Sequence, residues 1–424
     1  MKVLWFEIST PSNYFEDGRV VCGWQDALEE IVRGCKEIEL YIAFESKVPA
    51  EIKLINGVTY IPICTHYSRI DRFKNSFDFN IATNKVIAPS VEVINRIKPD
   101  IIHVFGNEWP FGLIADYTDI PVVIHIQGSI VAYNNAQFPP KYNNYTVAHA
   151  NGLNLRKQWQ AFKARYYDAS REAMERKIWK SVSNYMGRTE WDHALTNTVH
   201  PGANYFHVDE ALRPNFIQSN KYWHLPADSK IRIVTVGCSS FWKGIDVMLK
   251  TAHILKGLNI DLEWLVAGYL NPNLKHIVED KEKTLFAENN IRILGFIDAD
   301  NLIDLLCGCT MYVHTAYIEN SPNSICEAQY LGVPIISTMV GGISSLVRDG
   351  KDGKLLPAND PWQMANAIIE LAEDKERMQR YSVNSRIFAR NRHKSENILR
   401  DLTTTYKTII SCHNKNQSTY TNEK

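Results

Sequence analysis

Residues 311–337 read MYVHTAYIENSPNSICEAQYLGVPIIS. Met311–Thr315 is a short strand, Pro322 suits the first turn of a helix, with Asn320 or Ser321 as its cap, and Pro334–Ser337 is the next strand. Strands this apolar on both faces belong in a parallel sheet covered on both sides. The same alternation runs outward in both directions. Upstream in the second half stand Ile231–Val236, Trp264–Ala267 and Ile291–Leu294, each followed by a helical pattern. The first half holds Val3–Ile8, Leu40–Phe44, Ile101–Phe105, Val122–Ile126 and Asn184–Met186. Lys53–Ile55 and Val58–Ile63 flank Asn56-Gly57, a pair that accepts positive φ at both turn centres, which predicts a hairpin decorating the first sheet.

Two successive series of this kind predict an α/β protein of two doubly wound, Rossmann-like domains. We place the first at residues 1–208, a linker at 209–230 and the second at 231–395. The region 204–230 holds Pro214 and Pro226 and lacks sustained periodicity. Ile398, Leu399, Leu402, Tyr406, Ile409 and Ile410 share one helical stripe, so a helix over 396–412 is expected, with the option of packing back on the first domain. Residues 413–424 read as a polar, frayed tail.

Composition narrows the class. Lys+Arg and Asp+Glu tie at 47 each over 424 residues, so no global charge steers the chain to nucleic acid. The 45% apolar fraction excludes disorder. Eight scattered cysteines fit reduced thiols in the cytosol. Met1–Ile8 reads as a strand rather than a signal peptide. Residues 120–140 are uncharged, yet His125, Gln127, Asn134, Asn135 and Gln137 make a bilayer span costly. A cytoplasmic protein is expected.

Several chemistries lack their motifs. No G-x-G-x-x-G follows the first strand, and G-x-x-x-x-G-K-[ST], G-x-S-x-G and H-E-x-x-H do not occur. Cys307 and Cys309 sit in an apolar helical run, as core residues do. Asp298-Ala299-Asp300 resembles a metal-binding D-x-D but precedes a helical stripe, where an N-cap explains it better. No metal and no cofactor are expected.

Glu319 and Glu327 stand eight residues apart on either side of Pro322. Glu319 lies in a loop past a strand's C-terminal end, where open α/β sheets bind ligands. Glu327 falls more than one turn inside the helix, and the amides around Asn323 and Ser324 suit a phosphate. With Ala328, Leu331-Gly332-Val333-Pro334 and Gly341-Gly342, this segment resembles the family 4 retaining glycosyltransferases of the GT-B fold. Val236-Gly237 with Lys243-Gly244, Ala267-Gly268, Gly295-Phe296-Ile297, and Asp349-Gly350 with Gly353 follow in the family's order. The likeness is strong over 231–371 and looser before it. Gly106-Asn107-Glu108, Ile126-Gln127-Gly128, residues 187–192 and 320–324 are similar to a subgroup from bacterial surface-polysaccharide clusters.

The resemblance implies two domains facing a cleft, donor on the second and acceptor on the first. By it, Glu327 binds the ribose, Glu319 holds the donor sugar's hydroxyls, and Lys243 neutralises the diphosphate. Amides at Asn323, Ser324 and Ile325 bind the diphosphate too, and Phe296 and Ile297 meet the base. Gly23 lets a loop approach the phosphates closely. Gln127 stands where the family has a histidine near the sugar. Cys238 replaces an arginine that the family often uses on the diphosphate, and Arg188 is our candidate substitute. Cys22 replaces the first residue of a Gly-Gly pair, and Ser345 an acid. Glu108 is a candidate to orient the acceptor hydroxyl, or an N-cap acid.

The implied reaction is metal-independent transfer with retention from a nucleoside diphosphate sugar to a glycan or lipid-linked glycan. UDP rather than GDP is named from family usage alone. Residues 156–181 carry eight Lys/Arg against three acids, interleaved with five aromatic residues. Such a helix either lies on the anionic inner membrane surface or packs its aromatics on the sheet. Two alternatives remain: a nucleotide-sugar epimerase or hydrolase of the same fold, with His103 and His125 as its nearest histidines, and a non-catalytic nucleotide-binding partner.

Overall fold

The computed structural model describes residues 1–15, 23–150 and 154–422. Fourteen strands are found among the described residues: β1 Lys2–Glu7, β2 Glu39–Ser46, β3 Lys53–Ile55, β4 Val58–Cys64, β5 Ile101–Phe105, β6 Val122–His125, β7 Asn184–Gly187, β8 Asn204–His207, β9 Ile231–Val236, β10 Leu262–Ala267, β11 Ile291–Gly295, β12 Met311–His314, β13 Ile335–Thr338 and β14 Lys354–Leu356. They form two sheets, ordered β3-β4-β2-β1-β5-β6-β7-β8 and β11-β10-β9-β12-β13-β14. Every pairing is parallel except the β3–β4 hairpin, whose turn residues Asn56 and Gly57 both take positive φ.

The chain divides into two compact units. One comprises Met1–Val131, Lys163–Arg213 and the residues from His393 on; the other comprises Ala132–Phe162 and Pro214–Arg392. In the first unit alternate residues of β1 serve opposite faces of the sheet, as the period of two requires. Leu4 and Phe6 pack with Phe79, Ile94, Met174, Ile178 and Trp179 on one face. Val3 and Trp5 pack on the other with Trp24, Leu28 and the stripe Ile398, Leu402, Tyr406 and Ile409. The C-terminal helix therefore belongs to the first unit's core. Its Tyr406 hydroxyl accepts from Trp5 Nε1 at 3.0 Å and lies 2.6 Å from His103 Nδ1.

Three details differ from the sequence reading. Asn204–His207, inside the expected first domain but not read as a strand, is the eighth strand of the first sheet. It is short and half exposed at the sheet's edge, so it leaves little periodic signal. The C-terminal helix, Ser395–Asn422, runs on past His413 instead of fraying there. The segment Ala132–Phe162 packs within the second unit although it precedes the last two strands of the first sheet. No described helix is long and apolar enough to cross a membrane.

In each sheet the strand order reverses once, between β1 and β5 and between β9 and β12. Loops leaving the carboxyl ends of these strands diverge there and open a crevice, the usual ligand position in such sheets.

Candidate active site

The second unit's switch point gathers the acidic segment and the lysine. Past β9 the chain makes one tight turn, Phe241–Lys243, and the Lys243 side chain lies over Gly237. Gly244 ends that turn at φ +71°, and a Cβ there would collide with the Thr315 carbonyl. The turn is tied to the β12 loop at two points. Thr315 Oγ1 donates to the Lys243 carbonyl at 2.9 Å, and Tyr317 N–H donates to the Trp242 carbonyl at 2.7 Å. This bracing fixes the lysine's backbone, so its ammonium reaches Glu319 directly; the two form an ion pair. Glu319 is buried and Lys243 mostly so. A buried carboxylate requires such a partner.

His314, the last residue of β12, was not singled out by the sequence reading. Its Nε2 lies 3.8 Å from Glu319 Oε1. Burial first, and then Lys243, hold its pKa down to about 3, so the ring is neutral at physiological pH. The signal was positional only: a histidine at the carboxyl end of a strand beside the switch point. Cys238 is buried, with Sγ 3.6 Å from the Gly268 carbonyl, and burial pushes its thiol up to about 11. It brings no charge to the site.

The helix after Glu319 spans Asn323–Leu331, with Pro322 at its N-cap rather than in its first turn. The Ile325 N–H donates to the Pro322 carbonyl at 3.0 Å, which leaves the amides of Asn323 and Ser324 as the helix's N-terminal donors. Ser324 Oγ accepts from the Tyr312 hydroxyl at 2.8 Å. Glu327, the helix's fifth residue, is buried. At the end of β11, Phe296 is 78% exposed while Ile297 is partly covered. Asp298 caps the next helix, accepting from the Asn301 N–H at 2.9 Å. That is the N-cap role expected of Asp298 in Asp298-Ala299-Asp300.

In the first unit, Gly23, Glu108, Gln127 and Arg188 follow β1, β5, β6 and β7, four neighbouring strands, so all four reach one carboxyl edge. Gly23 caps a helix and has open space around its Cα among the described residues. Cys22 lies outside the described residues. Arg188 is buried, packs its guanidinium over the Trp24 ring at 4.7 Å, and donates to the carbonyls of Ile126 and Gln127 at 3.4 and 3.3 Å. It thereby fixes the backbone that carries Gln127. His103 and His125 are enclosed, and burial lowers the pKa of both, His125 to about 3.

Glu108 is not the cap of the turn that follows it; Trp109 holds that position. Burial raises the Glu108 carboxyl to about 7, with Glu175 adding to the shift and Arg171 and Arg188 opposing it. The folded protein therefore holds a proton here that the unfolded chain has lost between about pH 4.5 and 7. Stability falls as pH rises through that window. A displacement of this size corresponds to roughly 3–4 kcal/mol. Glu108→Gln should flatten the pH dependence, leaving the variant more stable than the wild type at pH 8, as read from urea midpoints between pH 4.5 and 8. Parallel profiles for the two proteins would remove the buried proton.

Residues 219–388 match the family model described as Glycosyl transferases group 1. The D-inositol 3-phosphate glycosyltransferase of Paenarthrobacter aurescens is 26% identical over 220 residues, 48% of this chain and 52% of that protein. The chain spans about half the length of the curated relatives it matches. Sucrose-phosphate synthase from Thermosynechococcus elongatus superimposes with a TM-score of 0.72 at 16% identity, over 97% of this chain and 99% of that one. HepE of Anabaena, solved in complex with UDP-glucose, gives 0.65 at 15% identity, over 96% and 100%. The fold is GT-B, and the match to the group 1 glycosyltransferase model lies within the second unit and covers less than half of the chain.

Proposed function

We propose that the protein transfers a sugar, with retention and without a metal, from a nucleoside diphosphate sugar to a glycan or lipid-linked glycan in bacterial surface-polysaccharide synthesis. UDP is the first nucleotide to test. The observation that carries this reading is the Lys243–Glu319 pair at the β9/β12 switch point, beside the N-terminus of the Asn323–Leu331 helix. A cation and free amides at one strand edge suit a diphosphate. A buried carboxylate a few ångströms away suits sugar hydroxyls.

In the reaction the anomeric C–O bond breaks and the nucleoside diphosphate leaves. Lys243 and the Asn323 and Ser324 amides take up its charge. The acceptor oxygen bonds the anomeric carbon on the same face, and its proton passes to the departing phosphate. Glu319 places the sugar, Gln127 contacts it, and Glu327 binds the ribose. Phe296 and Ile297 receive the base, and Gly23 leaves room for the phosphates. Glu108, with its near-neutral carboxyl, orients the acceptor hydroxyl. Arg188 acts through the Gln127 backbone. The enclosed, neutral His103 and His125 favour transfer over an epimerase, which would need an acid and a base in contact with the sugar.

The helix Leu155–Ser181 supports a lipid-linked acceptor. It buries Met174, Ile178 and Trp179 but exposes Leu155, Trp159, Phe162 and Tyr166 on one stripe, among Arg156, Lys157, Lys163 and Arg165. Peripheral, salt-sensitive contact with the cytoplasmic face of the inner membrane follows from that pattern.

Glu327→Gln tests the nucleotide assignment. An amide accepts ribose hydroxyls less strongly than a carboxylate, by about 1–2 kcal/mol. Calorimetry should show UDP bound roughly 5- to 30-fold more weakly. Unchanged affinity would remove Glu327 from the ribose.

A further inference from the structure

The turn that carries Lys243 is braced by β12 on one side only. Its other side is covered by residues 132–149, which leave the first unit after β6 and pack inside the second. Tyr133 meets Trp242 edge-on at 5.9 Å. Phe138 and Tyr142 lie 5.6 and 5.3 Å from Phe241, which is only 9% exposed beneath them. The Tyr142 hydroxyl donates to Glu282 Oε1 at 2.6 Å. Glu282 lies 3.3 Å from Lys250 Nζ, which also pairs with Asp246 at 2.9 Å. Asp246 in turn accepts from the Tyr317 hydroxyl at 2.9 Å. This chain of contacts begins on residues 132–149, runs under the helix that starts at Ile245, and ends on the loop that leads to Glu319.

Three consecutive residues in a single turn have little stiffness of their own. Phe241 and Trp242 face the covering segment, and Lys243 follows them directly. Movement of the two aromatic side chains must therefore be felt at the lysine's backbone. The hydroxyl of Tyr142 adds a directional tie that a purely apolar cover would lack, and it ends on a carboxylate that is itself held by Lys250.

We propose that residues 132–149 are a strap over the Phe241–Lys243 turn, and that Tyr142 is a positioning residue that holds Lys243 for the diphosphate. The inference rests on the reading of Lys243 given above. It assigns a part of donor binding to a segment that directly follows the other unit in sequence.

A strap of this kind acts on the diphosphate end of the nucleotide and not on its base or ribose. The test is calorimetric titration of the full chain with UDP and with UMP, which lacks the second phosphate. Tyr142→Phe removes the bond to Glu282 and keeps the ring; Phe138→Ala removes one cover of Phe241. Each should weaken UDP about 3- to 10-fold, leave UMP within twofold, and add nothing when Lys243→Ala is already present. Equal loss for UDP and UMP, or no loss for either, overturns the strap, provided that the wild type prefers UDP and Lys243→Ala reduces that preference. A wild type that binds UDP no better than UMP, or a Lys243→Ala protein that keeps the full preference, overturns the lysine assignment itself and the strap with it. Thermal melts of each variant identify any that fail to fold, and Tyr142→Phe, the mildest change, then decides.

Discussion

Lys243→Ala should lower kcat/KM for sugar transfer by roughly 30- to 1000-fold, the equivalent of about 2–4 kcal/mol for one positioned charge lost from a departing diphosphate. The lysine's backbone is held by the turn bonds to Ser240 and Phe241 and by the Thr315 and Tyr317 ties, and its ammonium by the ion pair with Glu319. Truncation also strands a buried carboxylate, so the variant should melt earlier. The two effects separate in the double change Lys243→Met with Glu319→Gln, which removes both charges. That protein should recover stability and remain inactive. Full turnover by Lys243→Ala would sink the diphosphate assignment whatever its stability.

Gly341→Ala should be among the most damaging additions of a single methyl group. Gly341 takes φ +51°, and a Cβ there would overlap the carbonyl group of Glu319, while the next N–H, that of Gly342, donates to the same carbonyl at 2.9 Å. Backbone cannot swing aside as a side chain can. Left-handed strain of about 1 kcal/mol adds to the cost of overpacking, giving roughly 2–4 kcal/mol in all. Activity should fall further than stability, because the displaced residue is the one proposed to hold the sugar. Gly257→Ala is the control: it ends a helix with open space around it, and it should be neutral or slightly stabilising. Equal melting temperatures for the Gly341 and Gly257 variants would contradict the packing argument.

The strands of both sheets were legible because each is a short apolar run between breakers, and Ile101–Phe105 and Ile231–Val236 appear at the expected bounds. Asn56-Gly57 gave the hairpin for the same local reason. β8 and β14 were missed: four and three residues at sheet edges carry too little pattern to register. The C-terminal stripe was readable as helix, but only the structure shows that Tyr406 reaches Trp5 and His103, partners some 300 to 400 residues away in sequence. At the site, Glu319 and Glu327 stood out through spacing, and Lys243 through the family resemblance. His314 did not, since a histidine inside an apolar strand looks like core until the strand's end is located. The excursion of 132–162 into the second unit was also invisible, because aromatic residues that cover a distant turn have the same local pattern as those that pack on their own sheet.

The most direct test of the account is a thermal-shift series on the full chain with UDP, GDP, ADP and CMP, each in EDTA and in Mg²⁺. The account predicts that one nucleoside diphosphate, UDP first, raises the melting temperature equally with and without the metal. No stabilisation by any of them would contradict it and would make the protein a non-catalytic member of the fold, with Cys238 in place of the missing cation as the reason.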